Sequence, residues 1–250
     1  MMLLTIRYLF LIISLIFFST NNSFKEDQLR YSRVRNAYNE KENTLDQLLE
    51  KSAIKKSELN IYLRAFKSEN LIELWGKNTS DTKYKLIKTY EVCNTSGRLG
   101  PKRMQGDYQI PEGFYHIDRF NPYSNYHLSL GINYPNASDI ILGEKGRLGG
   151  DIFIHGACVT IGCLPITDEQ IKELYIFCVE AKNNGQSTIP VTIFPAKLSD
   201  ARYQLLSNSK IATEEKVGLW SDLKKGYQLF NDTKTLPSIS FKNDGRHIVN

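Results

Sequence analysis

The stretch Asp151 to Pro165, DIFIHGACVTIGCLP, concentrates residue types capable of covalent chemistry. An apolar run, Ile152-Phe153-Ile154, delivers His155, and Gly162-Cys163 follows with the cysteine eight positions beyond the histidine. A thiol becomes a strong nucleophile when it loses its proton, and a nearby imidazole can take that proton or hold the thiolate as an ion pair. The implied chemistry is nucleophilic acyl transfer, with Cys163 as nucleophile and His155 as its base. Gly156 follows the histidine and Gly162 precedes the cysteine. Without a Cβ, these positions let backbone approach closely and present N–H groups to a developing oxyanion. The N–H groups of Gly162 and Cys163 are the expected donors.

The same residues admit other readings. His155, Cys158 and Cys163 are candidate zinc ligands, but their spacing matches no common zinc pattern and a fourth ligand is missing, so no metal is expected. Cys158 could bridge to Cys163, or could itself be the nucleophile, though no glycine precedes it. From bare spacing, a structural histidine and cysteine is an equally good account. His116 and His127 sit in β-like runs beside tyrosines and read as structural, His247 as a surface residue, and Cys178 as core on an apolar helix face. A bridge from Cys93 to Cys158 would leave Cys163 free, but the pairing cannot be read from spacing.

The elements around this stretch are legible from periodicity. Ile61–Phe66 and Leu71–Trp75 read as strands joined by a Ser68-Glu69-Asn70 turn, and Tyr84–Val92 continues the pattern. Asn94 to Gly113 is a loop rich in glycine and proline, and a loop of that length in a compact domain usually has a task. Phe114–Ile117, Leu128–Ile132 and Asp151–Ile154 are further strands. Thr167 to Gln170 reads as a capping box for a helix whose face is Ile171, Leu174, Tyr175, Cys178 and Ala181, stopped at Gly185. Val191–Phe194 reads as a closing strand. Residues 199 to 230 read as helical, anchored by Leu205, Leu206, Leu219, Trp220 and Leu223. Ile239–Phe241 and His247–Val249 form a hairpin around Asn243-Asp244-Gly245.

Bulk properties narrow the setting. Arg7 followed by the largely apolar run Tyr8 to Phe18, 11 residues long with Ser14 within it, suits an export signal and is short for a membrane span. Residues 1–20 therefore read as a signal peptide or N-terminal anchor, and the body of the chain is expected outside the cytoplasm, in the periplasm or cell envelope. Residues 21–58 are polar, with a weak stripe of Leu45, Leu48 and Leu49, and read as a solvated helical linker. The net charge of +5 fits work near an anionic polymer or membrane surface. No basic run with interleaved aromatics occurs, so nucleic acid is not an expected partner.

Thr160-Ile161-Gly162-Cys163, downstream of a strand-ending His155-Gly156, resembles the Ser/Thr-x-Gly-Cys signature of the L,D-transpeptidase (YkuD-type) catalytic domain. Leu99-Gly100-Pro101-Lys102, Gln105-Gly106-Asp107 and Pro111-Glu112-Gly113-Phe114-Tyr115 are similar to that family's upstream Gly-Asp and Pro-x-Gly segments. In its YafK-like branch the similarity extends to Tyr134-Pro135-Asn136, to the extra Cys158 and to Gly226-Tyr227. Two departures from the wider family stand out: Ile161 replaces a histidine, and Leu164-Pro165 replaces an aliphatic residue followed by Arg or Asn.

The resemblance implies an α+β, mainly β fold: a β-sandwich or barrel core over residues 59–198, a capped helix after the nucleophile, and a mostly helical extension over 199–250. It implies that the Gly156 carbonyl orients the His155 imidazole, with Gly156, Thr160 and Gly162 as supporting residues. Lys102, Gln105, Asp107, Glu112, Tyr115 and Arg119 become candidates for substrate contact. The implied partners are peptidoglycan stem peptides and wall-linked protein, with no cofactor; separately, the chain is expected to act as a monomer, with its N-terminus as a candidate membrane tether. The implied reaction is attack on the L-centre carbonyl of diaminopimelate, or its equivalent. Water as acceptor makes an endopeptidase that releases wall-linked material; an amine makes a cross-linking transpeptidase. A non-catalytic wall-binding protein is the alternative of another class, and the intact His155, Gly162 and Cys163 speak against it.

Overall fold

The computed structural model describes residues 23–250. The apolar run at the N-terminus lies outside the described residues, and among those described no helix is long and apolar enough to cross a membrane. In chain order the elements are α1 (Phe24–Leu29), α2 (Ser32–Lys51), β1 (Leu59–Phe66), β2 (Leu71–Asn78), β3 (Lys85–Glu91), β4 (Gly113–Asn121), β5 (Ser129–Ile132) and α3 (Ala137–Leu142). They continue as β6 (Phe153–His155), β7 (Leu164–Pro165), α4 (Asp168–Asn183), β8 (Ile189–Phe194), α5 (Asp200–Ser207), α6 (Glu214–Thr233), β9 (Ile239–Phe241) and β10 (His247–Val249). The first eight strands make one sheet in the order β3-β2-β1-β8-β4-β5-β6-β7, curled into a half-barrel. The α+β expectation holds.

The strands are buried where both faces of the sheet are covered. β1 is buried at seven of its eight positions, which suits a central strand with helices on either side. β8, expected to close the sheet, instead lies at its centre, parallel to β1 and antiparallel to β4. α4 supplies the crossover that makes this possible, carrying the chain from the edge strand β7 back to the middle. Ten residues of α4 are buried, because the helix lies between the sheet and α2. Cys178 belongs to that core, as expected. Thr167 caps α4 through its hydroxyl, which accepts from the Gln170 N–H. The reciprocal half of the capping box is absent: Gln170 Oε1 is buried without a partner.

Three expectations are corrected. The lead-in helix exists but is not solvated. Val34, Ala37, Tyr38, Leu45 and Leu49 of α2 are buried and share the core with the sheet and α4. The polar composition misled because Tyr38 and Lys25 meet the buried carboxylate of Glu180 on α4, which lets a polar face pack inward. Residues 199–230 are two helices, α5 and α6, and Leu205 is 67% exposed. Leu206, Leu219, Trp220 and Leu223 are the buried anchors. His247 is 5% exposed, its ring between those of Phe114 and Phe241. The tail hairpin forms as read, and Gly245 with φ +83° supplies the left-handed residue of its three-residue turn.

The long loop between β3 and β4 is organised from below by a buried ion pair. The Lys67 ammonium meets Glu112 Oε1 at 2.9 Å and donates to the carbonyls of Arg98, Gly100 and Ile110. Glu112 also accepts from the Gly100 N–H and the Trp220 indole. Every polar atom of the pair has a partner, which is the condition for burying charge.

Candidate active site

β6 and β7 place the two reactive side chains. They pair in parallel, Ile154 opposite Leu164 and His155 opposite Pro165. Cys163 is therefore level with Phe153, and the two-residue alternation of strands directs it to the face that His155 uses. Both line one cleft of ≈ 180 Å³ with Tyr126, Val159, Thr160 and Ile161. The Tyr126 ring lies over the imidazole at 4.7 Å, tilted 33°. No sequence signal marked Tyr126. Its loop is held by Arg33 of α2, which donates to the Ser124 and His127 carbonyls.

The imidazole is set in one tautomer. Nδ1 is 2.5 Å from the Gly156 carbonyl oxygen; a carbonyl only accepts, so Nδ1 carries the hydrogen and Nε2 is left to take a proton. Gly156 must be glycine because a Cβ there would lie 2.5 Å from Asp168 Oδ1 and 2.8 Å from the Tyr126 carbonyl. Burial pushes His155 below the ordinary imidazole value, while its bond to Gly156 opposes the shift. Burial pushes the Cys163 thiol up; a hydrogen bond with the Phe153 backbone opposes this, the Asp151 carboxylate reinforces it and the Lys102 ammonium opposes it. Both shifts favour a neutral thiol and a neutral imidazole in the shared cleft. The Cys163 thiol points at the Asp151 carbonyl, 3.6 Å away.

Cys158 is neither nucleophile nor zinc ligand: it is bonded to Cys93 as a disulfide, and the free cysteines among the described residues are Cys163 and Cys178. The bridge pins the loop between His155 and Cys163 to the end of β3, and Asn94 adds a bond to the Cys158 carbonyl. No group of three metal-binding side chains occurs among the described residues. Thr160 organises the approach to the nucleophile. Its hydroxyl accepts from the Cys163 N–H at 2.8 Å and the Gly162 N–H at 3.2 Å, and donates to the Cys163 carbonyl. The two expected oxyanion donors are therefore engaged by Thr160 in this resting arrangement. Gly162, at φ +134°, adopts a backbone conformation that other residues rarely take.

The six candidates for substrate contact divide. Lys102 and Gln105 line a second cleft of ≈ 310 Å³ on Cys163, together with Tyr108, Gly149, Gly150 and Asp151. Asp107 stands behind Lys102, paired at 2.6 Å, and accepts from the Arg103 and Met104 N–H groups. Arg119 lies at the rim, paired with Asp151. Glu112 and Tyr115 are not in the cleft. Glu112 is the buried partner of Lys67, and the Tyr115 hydroxyl donates to Asp139, a carboxyl that burial raises to about 6. Both residues belong to a loop motif, and in this fold that motif's contribution is support. His116 lines a separate cleft with Tyr62, Phe114 and Phe241. His127 is half-buried behind the Tyr126 loop with Nε2 unpartnered.

A cysteine and a tautomer-locked histidine at the edge of a curled sheet define a cysteine acyl-transfer site. Comparison with known proteins assigns it: residues 60–193 match the L,D-transpeptidase catalytic domain, YkuD, and the chain belongs to that family. It is 36% identical over 191 residues to the "Putative L,D-transpeptidase YafK" of Escherichia coli strain K12, covering 76% of this chain and 73% of that protein. The YafK of strain O157:H7 matches equally. Among solved structures, the helical cell shape determining protein Pgp2 of Campylobacter jejuni gives a TM-score of 0.44 at 16% identity, over 80% of each chain. Bdellovibrio bacteriovorus Bd1075 gives 0.41 at 18% identity, over 75% of this chain and 79% of that one. The family relationship makes this a cysteine-dependent enzyme of L,D-transpeptidase type, with peptidoglycan as its substrate.

Proposed function

We propose that the protein is an exported murein L,D-endopeptidase, which cleaves at the L-centre of diaminopimelate, or its equivalent, and releases wall-linked material. The observation that carries the catalytic assignment is Cys163 sharing one cleft with an imidazole whose Nδ1 is committed to the Gly156 carbonyl. In the reaction, His155 Nε2 takes the thiol proton as Cys163 attacks the carbonyl carbon. The oxyanion takes the place of the Thr160 hydroxyl on the Gly162 and Cys163 N–H groups. The amine departs with the proton from the imidazolium, leaving a thioester. Water, deprotonated by His155, hydrolyses it, and the proton returns to sulfur.

One observation supports hydrolysis and two support export. Position 165, where the wider family resemblance implies Arg or Asn, is Pro165, buried in β7 with no polar group to hold an acceptor strand. The Cys93–Cys158 bridge suits an oxidising compartment, as does the apolar N-terminal run.

The test is incubation of the purified protein with muropeptides, read by mass spectrometry. Hydrolysed stem peptides are expected, and Cys163→Ala should abolish them. New cross-links instead of hydrolysis would establish the transpeptidase, and no altered diaminopimelate-containing bond would remove both. A carbapenem should label the protein covalently, with the adduct lost in Cys163→Ala and kept in Cys158→Ala.

A further inference from the structure

Cys163 separates two clefts, and the chemistry allots them different halves of the substrate. The leaving amine needs a proton from the imidazolium, and the entering water or amine must surrender one to the imidazole. Both therefore use the His155 side, the cleft of ≈ 180 Å³. The acyl group that stays on sulfur is left the cleft of ≈ 310 Å³ on the other side.

The charged groups facing Cys163 from that second side are Lys102 with its partner Asp107, and Asp151 with its partner Arg119; His155 faces it from β6. Lys102 is buried and already satisfied by Asp107 and the Met104 carbonyl. Asp151 is open: its side chain is 80% exposed, and Oδ1 accepts from Arg119 Nη1 at 2.7 Å. Its second oxygen has no hydrogen-bond partner among the described residues. Arg119 is held over the Phe153 ring at 4.8 Å and by Asp118 on Nε, and its Nη2 is likewise without a partner among the described residues. An acceptor and a planar donor thus stand side by side at the rim, a match for an ammonium and a carboxylate on one carbon. Asp151 also reaches the nucleophile through its backbone: at φ +56° its carbonyl lies 3.6 Å from the Cys163 sulfur.

We propose that Asp151, seconded by Arg119, determines specificity in the acyl cleft by receiving the ammonium group of a zwitterionic side chain on the acyl donor. This rests on the peptidoglycan reading above, since the D-centre of diaminopimelate carries both groups. A second consequence follows from charge. The Asp151 carboxylate disfavours the Cys163 thiolate even with Arg119 paired to one of its oxygens, and an ammonium seated on the other oxygen weakens that opposition. The correct donor therefore helps to ionise the sulfur that attacks it.

The experiment is Asp151→Asn, a change of charge with little change of shape, read in two ways. Iodoacetamide alkylation of Cys163 at neutral pH should speed up about threefold, the effect of one nearby carboxylate in a largely aqueous setting. Turnover of a muropeptide with a free D-centre ammonium should fall about tenfold, chiefly through KM. Acetylating that ammonium should cost the wild type a similar factor and cost Asp151→Asn nothing further. Opposite signs in the two assays support the inference, because a merely structural aspartate would lower both. Parallel losses, or no change in either, would overturn it.

A separate arm is independent of turnover. Free meso-diaminopimelate should lower the thiol pKa of Cys163, followed by thiolate absorbance against a Cys163→Ala blank, and should not do so in Asp151→Asn. Should the wild type turn over no muropeptide while this arm succeeds, the hydrolase reading fails and the specificity reading stands. An unmoved thiol in the wild type sinks the specificity reading whatever the turnover assay gives.

Discussion

At the scale of residues, the site is a nucleophile that is not ionised at rest. Burial raises the Cys163 thiol and lowers the His155 imidazole, so both shifts favour the neutral pair over thiolate and imidazolium. The two limbs of the pH profile follow. A histidine whose value is depressed stays unprotonated to lower pH than a free one, so His155 remains a competent base there. The acid limb of kcat/KM should lie below about 6.5, the ordinary imidazole value. Thiolate alone forms only at high pH, so alkylation of free Cys163 should still be rising above pH of about 9. Rates of turnover and of iodoacetamide labelling across pH check both. A labelling plateau at neutral pH would mean a preformed ion pair and would refute the neutral resting state.

At the scale of elements, the short strands β6 and β7 do the positioning, and helices far off in sequence do the bracing. α2 holds the Tyr126 loop through Arg33 and packs its apolar face into the core beneath the sheet. Leu45→Ala should therefore cost about 3 kcal/mol, the ordinary loss for a leucine truncated in a packed interior. Urea unfolding measures it. A cost within about 0.5 kcal/mol, typical of a solvated position, would return α2 to the role of a surface linker.

At the scale of the whole molecule, the buried Lys67–Glu112 pair joins three distant segments. It links the end of the first strand, the loop before β4 and, through Trp220, the C-terminal helix α6. The loop it organises also carries Lys102 and Gln105 into the acyl cleft. Glu112→Ala leaves a buried ammonium unpaired and should destabilise the fold by about 4 kcal/mol, measured by denaturant titration. Because the loop loosens with it, muropeptide KM should rise in the same variant at temperatures where it remains folded.

The sequence by itself determined the parts that depend on local pattern. The Thr160–Cys163 motif is read through its resemblance to the L,D-transpeptidase family, while the strand that delivers His155, the capped helix after the nucleophile and the Asn243–Gly245 hairpin rest on spacing, period and turn chemistry, which are properties of neighbours in the chain. Tertiary structure alone decided what depends on distant partners. The central place of β8, the burial of α2 and of His247, the Cys93–Cys158 bridge, and the conversion of Glu112 and Tyr115 from substrate candidates to supports all require knowing what lies across the fold. The same holds for Tyr126 and Asp151, ordinary residues in sequence that the curl of the sheet brings to the nucleophile. Burial and charge pairing are set by through-space neighbours, and a one-dimensional pattern carries no record of them.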